Sequence, residues 1–113
     1  MQQKDIMLVF VTINDQKKAT EIIKELLEAK LIACANLISG LKSFYHWKGE
    51  MCEDQELLLL MKTSPQNLKM LEQRVLELHP YECPEFVAFK SNFVSEDYRN
   101  WLYTNVLQEA QST

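Results

Sequence analysis

At 113 residues, 47% hydrophobic and 25% charged, the chain has the size and composition of one globular α/β domain spanning residues 1–113, and its length excludes two independent cores. The formal net charge of −4 argues against nucleic acid as a partner, because phosphate binding needs a basic face, and says nothing against a cation. Cys34, Cys52 and Cys83 are an odd number with no C-x-x-C pair, which is no disulfide framework. With no signal-peptide pattern at the start and no apolar run long enough for a bilayer, they predict a cytoplasmic protein without a membrane partner.

Residues 6–13 form a continuous apolar, β-branched-rich run, the pattern of a strand covered on both faces. Asn14 and Asp15 offer capping oxygens, and Ala19, Ile22, Ile23, Leu26 and Leu27 follow at helical spacing, predicting a helix that ends near Lys30. Residues 31–47 read as a long strand with a bulge or break at Ser39-Gly40. Lys48-Gly49 is a two-residue turn candidate, and residues 51–63 return, with residues 57–61 at the buried centre. Ser64-Pro65 starts a second helix whose apolar face is Leu68, Leu71, Val75 and Leu78, and Pro80 ends it at His79. Residues 85–90 are the last strand, and Ser95 caps a final helix from Glu96 to about Glu109, with Tyr98, Trp101, Leu102 and Val106 as its apolar face.

The order β-α-β-β-α-β plus a C-terminal helix is the ferredoxin-like arrangement, with both main helices on one face of a four-stranded antiparallel sheet. Hairpin arms of about 12 to 16 residues exceed the usual five or six. Their excess projects beyond the helices with unpaired edges, which predicts an oligomer.

The densest local feature is Phe44-Tyr45-His46-Trp47. Strand alternation puts Phe44 and His46 on one face and Tyr45 and Trp47 on the other. The cluster reads as a ligand pocket or stacking platform, or, as the favoured reading, a hairpin tip packed in a subunit contact. A two-residue turn sets His46 opposite Met51, a pair of soft donors for Cu(I) that is more often without a metal. The segment His79-Pro80-Tyr81-Glu82-Cys83-Pro84-Glu85 holds every transition-metal donor type, but its spacing fits no closed zinc motif, and a rigid helix-to-strand connector is favoured. Glu50, Glu53, Asp54 and Glu56 read as a solvated strand face. No nucleophile elbow and no glycine-rich phosphate loop is present, so no enzyme constellation is assembled.

Several segments together resemble the CutA family of divalent-cation tolerance proteins: residues 33–38 (Ala-Cys-Ala-Asn-Leu-Ile), 43–50 (Ser-Phe-Tyr-His-Trp-Lys-Gly-Glu), 60–63 (Leu-Met-Lys-Thr) and 78–85 (Leu-His-Pro-Tyr-Glu-Cys-Pro-Glu). Tyr98 and Trp101 resemble that family's C-terminal aromatic pair, and the likeness runs over nearly the whole chain in order. The resemblance implies a homotrimer with sheets joined edge to edge, a response to metal ions, and copper or another divalent metal as ligand, without catalysis. The family's bacterial copper pattern has a cysteine at the end of the first strand and a His-His pair before Pro-Tyr. Here those positions hold Val11 and Leu78-His79, so His79 is the metal-ligand candidate. Tyr45, Trp47, Lys62, His79, Tyr81 and Glu85 are the candidates to line an inter-subunit cleft. The same fold resembles the trimeric PII signalling proteins, which makes a sensor binding a small molecule between subunits the alternative. An RNA-recognition module shares the element order but lacks support from charge and from an RNP1-like run, and an enzyme using cleft carboxylates stays open because fold does not fix function.

Overall fold

The computed structural model describes residues 5–108. Its elements are β1 (Met7–Ile13), α1 (Gln16–Glu28), β2 (Cys34–Trp47), β3 (Glu50–Thr63), α2 (Leu68–Leu78), β4 (Val87–Lys90) and α3 (Glu96–Thr104). The sheet order is β2-β3-β1-β4, every pair antiparallel, as expected for a ferredoxin-like fold.

Odd-numbered residues of β1 and of the inner half of β3 face the helices. Val9, Val11, Ile13, Leu59 and Met61 are buried there against Ala19, Ile22 and Leu26 of α1 and Leu71 and Val75 of α2. Each such side chain contributes about 1.5–3 kcal/mol on burial. The opposite face differs from the two-sided burial expected of β1: Leu8, Phe10 and Thr12 are only half-buried. Phe10 there packs on Phe89 at 5.4 Å between centroids, and Val87, Phe89 and Ile38 are exposed. Leu102 and Val106 pack on Ile6 in a second small cluster, and Trp101 stays 45% exposed.

Several boundaries move for local reasons. β2 begins at Cys34 because α1 closes in a Schellman arrangement, with Lys30 N–H donating to Leu27 O and Leu31 N–H to Leu26 O, and Lys30 at φ 59. Asp15 caps α1 by accepting from Lys18 N–H at 3.0 Å. Ser64 does not cap α2. It is buried, its hydroxyl accepts from Asn67 Nδ2, and residues Pro65–Asn67 form a 3-10 turn before the helix. The last strand is two residues shorter than expected, because β1 and β4 pair no further than Phe10 and Val87. The final helix stops at Thr104, where Asn105 N–H turns back to Leu102 O and Leu107 N–H donates to Lys30 O. Its expected end at Glu109 lies outside the described residues.

The hairpin is the feature that positions a site. Lys48 (φ 52) and Gly49 (φ 81) make the two-residue turn, and the pairings Trp47↔Glu50, His46↔Met51 and Tyr45↔Cys52 follow. At the other end Cys34 pairs with Lys62. The two registers differ by one residue, and the difference is absorbed where Ser39 and Gly40 (φ 87) together face Leu57. Beyond that bulge Leu41, Ser43, Tyr45 and Trp47 lie on the same face as Glu50, Cys52, Asp54 and Glu56. Because β1 pairs only with residues 57–63 of β3, the outer half of the hairpin has both edges unpaired among the described residues.

Candidate functional site

Where the hairpin leaves the sheet, its aromatic and acidic face meets the end of β1 and the connector from α2 to β4. Together they enclose an open cleft of about 580 Å³, lined by Thr12 at the end of β1 and Asn14 just after it, by Ser43, Phe44, Tyr45, Trp47, Asp54 and Glu56 from the hairpin, and by Tyr81, Glu82, Cys83 and Glu85 from the connector. Pro80 builds the connector by forcing His79 into extended backbone (φ −75, ψ 138).

His79 is the hinge pin of that connector. It is buried, its Nε2 lies 2.8 Å from Thr12 O, and its Nδ1 lies 3.1 Å from Tyr81 N. A carbonyl only accepts and a backbone N–H only donates, so Nε2 carries the hydrogen and Nδ1 offers its lone pair. The ring meets Tyr81 edge-on at 4.5 Å between centroids. Both nitrogens are therefore engaged, and a metal ligand role would break one of these bonds. Val11 and Leu78 belong to the core and supply no donor.

Three carboxylates of the cleft are held by hydroxyls. The Tyr81 hydroxyl donates to Glu56 Oε2 at 2.6 Å, the Tyr45 hydroxyl donates to Asp54, and the Thr12 hydroxyl donates to Glu85 Oε1 at 3.3 Å. The bond to Asp54, then desolvation, pushes the Tyr45 hydroxyl up to about 12. Burial, then the bond to Glu56, raises Tyr81 further. Glu82 meets Lys48 at 3.9 Å, with both side chains exposed.

Of the sequence candidates, Tyr45, Trp47, Tyr81 and Glu85 line the cleft, and His79 stands behind it. Lys62 is not brought there. It lies six residues along β3 from Glu56, about 20 Å at strand rise, and its Nζ bonds Asn36 Oδ1 at 2.6 Å and Cys34 Sγ at 3.8 Å on the open sheet face. The reading of Glu50, Glu53, Asp54 and Glu56 as a solvated strand face holds for the first three, which are exposed, and is corrected for Glu56, which is 7% exposed; Asp54 also takes the Tyr45 hydroxyl in the cleft. The turn at Lys48-Gly49, which sets Tyr45 opposite Cys52, is the signal that puts Asp54 and Glu56 on the face of Tyr45. His46 and Met51 are paired as expected, but Met51 is 78% exposed. Among the described residues no group of three or more His, Cys, Asp or Glu side chains is placed to hold a metal ion, so the donors of one chain alone do not fit one.

The profile of the family described as CutA1 divalent ion tolerance protein matches residues 7–105. This chain belongs to that family. It is 44% identical to the divalent-cation tolerance protein CutA of Thermus thermophilus over 98 residues, 87% of this chain and 95% of that protein. The solved structure of a Thermus thermophilus divalent cation tolerance protein superposes with a TM-score of 0.86 at 42% identity, covering 89% of this chain and 98% of that one. A periplasmic divalent cation tolerance protein CutA from Archaeoglobus fulgidus superposes with a TM-score of 0.87 at 26% identity, covering 90% and 99%. The family resemblance and the ferredoxin-like fold are both borne out. The family is named for ion tolerance rather than for a reaction, and the Archaeoglobus protein is described as periplasmic. No helix among the described residues is long and apolar enough to cross a membrane.

Proposed function

We propose that this chain acts as a homotrimeric divalent-cation tolerance protein, binding copper or another divalent cation in the cytoplasm without catalysing a reaction. The observation that carries this reading is the outer half of the hairpin, whose two edges are unpaired among the described residues beside a sheet face that exposes Ile38, Val87 and Phe89. Unpaired edges next to an apolar face call for strands of further copies. Membership of an ion-tolerance family supplies the cation. Since one chain gathers no metal-holding group among its described residues, the cation is held by donors from more than one copy. Three free thiols fit a reducing compartment.

Light scattering on the eluting protein is expected to give three times the 13.3 kDa chain mass, and calorimetric titration with Cu(II), Cu(I) and Zn(II) a stoichiometry set by the trimer. A monomeric mass with metal binding intact would refute the shared site. A second reading, a trimeric sensor resembling the PII proteins, is favoured by the 580 Å³ cleft, which is the size of a small-molecule site rather than of a bare ion.

A further inference from the structure

We propose that the cleft at the hairpin root binds an aliphatic di- or polyamine, a chain carrying more than one ammonium group. This names the ligand class of the sensor reading's cleft and rests on that cleft being a small-molecule site.

The charge balance is the first reason. Asp54, Glu56 and Glu85 each take a hydroxyl, from Tyr45, Tyr81 and Thr12. These donors orient the carboxylates without neutralising them. Among the described residues of one chain no Lys, Arg or His lines the cleft. At its rim Lys48 reaches Glu82 at a solvent-exposed 3.9 Å, a weak pairing. Several negative charges facing one cavity favour a ligand with more than one positive charge.

The second reason is Glu56. Its side chain is 7% exposed, Tyr81 occupies Oε2, and Oε1 receives no hydrogen bond from a described residue. A buried carboxylate with an open oxygen is costly unless a charged donor reaches it. An ammonium group supplies that donor.

The third reason is the wall. Trp47, Tyr45 and Tyr81 present aromatic rings to the same cavity. The Lys48 ammonium already lies 5.7 Å from the Trp47 ring centroid, within the range at which an ammonium is attracted to an indole face. Methylene segments of an amine chain pack on the same rings. A bare metal ion uses none of this and would need its donors gathered together, which the described residues do not provide. Nucleotide phosphates are repelled by the acidic wall.

The test uses the full-length oligomer and spermidine at fixed ionic strength, so that general screening is constant. Binding is read by calorimetry and by Trp47 fluorescence in a Trp101→Phe background, since the chain has two tryptophans. Saturable binding is expected. Glu56→Gln keeps an acceptor for Tyr81, removes the charge, and is expected to weaken spermidine by about tenfold or more. Glu50→Gln, an exposed position outside the cleft, is expected to stay within about twofold of the parent protein. Should Glu56→Gln change the oligomer's size, Glu85→Gln, at an exposed lining position, carries the same expectation. The proposal is overturned by no saturable binding, by equal losses in the cleft and control variants, or by magnesium displacing spermidine with equal affinity. If ATP perturbs Trp47 and spermidine does not, the polyamine assignment fails while the small-molecule cleft stands; if neither binds, both fail.

Discussion

Replacing His79 separates a structural role from a ligand role. His79→Ala removes the donor to Thr12 O and the acceptor for Tyr81 N–H, at 2.8 and 3.1 Å, in a site where the ring is 7% exposed. Two backbone groups are left without partners, each costing about 1–3 kcal/mol when buried. The edge-on contact with Tyr81 adds about 0.5–1.5 kcal/mol. Allowing for partial relaxation and water entry, the loss comes to about 3–5 kcal/mol, a large share of the roughly 5–15 kcal/mol that holds a domain together. His79→Gln can still donate to Thr12 O and should recover about half of the loss. Urea unfolding followed by far-UV circular dichroism, at one fixed protomer concentration because assembly contributes to stability, measures all three proteins. Hydrogen exchange at Tyr81 N–H is expected to speed up in His79→Ala. A His79→Ala protein within about 0.5 kcal/mol of the parent would refute the connector role. If that variant also lost metal affinity, His79 would stand as a ligand instead.

The hairpin gives two further predictions. Lys48 and Gly49 both sit at positive φ, so Lys48→Asn should stabilise by about 0.5–1 kcal/mol and Gly49→Ala destabilise by about 1 kcal/mol in the same unfolding assay. Gly40→Val should cost about 1–2 kcal/mol, because a β-branched residue is forced to φ 87. Deleting Gly40 should be tolerated, since Ser39 then faces Leu57 alone and Tyr45 keeps its place beside Asp54; a return of Tyr45 ionisation to its ordinary value of about 10 would show that the register had slipped instead. The pH dependence is set by tyrosines. All four, Tyr45, Tyr81, Tyr98 and Tyr103, have raised values in the folded chain. Each contributes stability that is complete below the unfolded value of about 10 and is lost as pH rises through the folded ones. An absorbance titration should therefore show no tyrosine ionising at the ordinary value while the protein stays folded, and a tyrosine that did so would contradict the hydroxyl contacts.

Much of the fold was legible because local rules and global packing agree. The apolar run of β1, the spacing of α1 and α2 and the punctuation at Asp15, Gly40, Lys48-Gly49 and Pro80 each specify one outcome. Less legible was what tertiary contact decides. Ser64 looks like a cap from sequence, but burial turns its hydroxyl toward Asn67. Lys62 carries a motif residue's chemistry, yet strand rise puts it about 20 Å from the cleft. Asp54 and Glu56 look like ordinary strand acids, and only the connector folding back over them, with Tyr81 on Glu56, makes one of them a buried group.

The bulge at Ser39-Gly40 links these observations. The turn fixes the register at the tip and the Cys34–Lys62 pairing fixes it at the root, with one residue too many between them. Had β2 stayed regular from the root outward, Tyr45 and Trp47 would point to the helix side, and Phe44 and His46 would face Asp54 and Glu56 instead. Phenyl rings donate no hydrogen bond, so Asp54 would lose the hydroxyl it now takes from Tyr45. The turn register therefore sets tyrosine and tryptophan on the carboxylates' face, and the extra residue lets that register coexist with the pairing at the root. A hydroxyl orients a carboxylate without neutralising it, so the cleft keeps its negative charge, and with it the capacity to select a positively charged ligand.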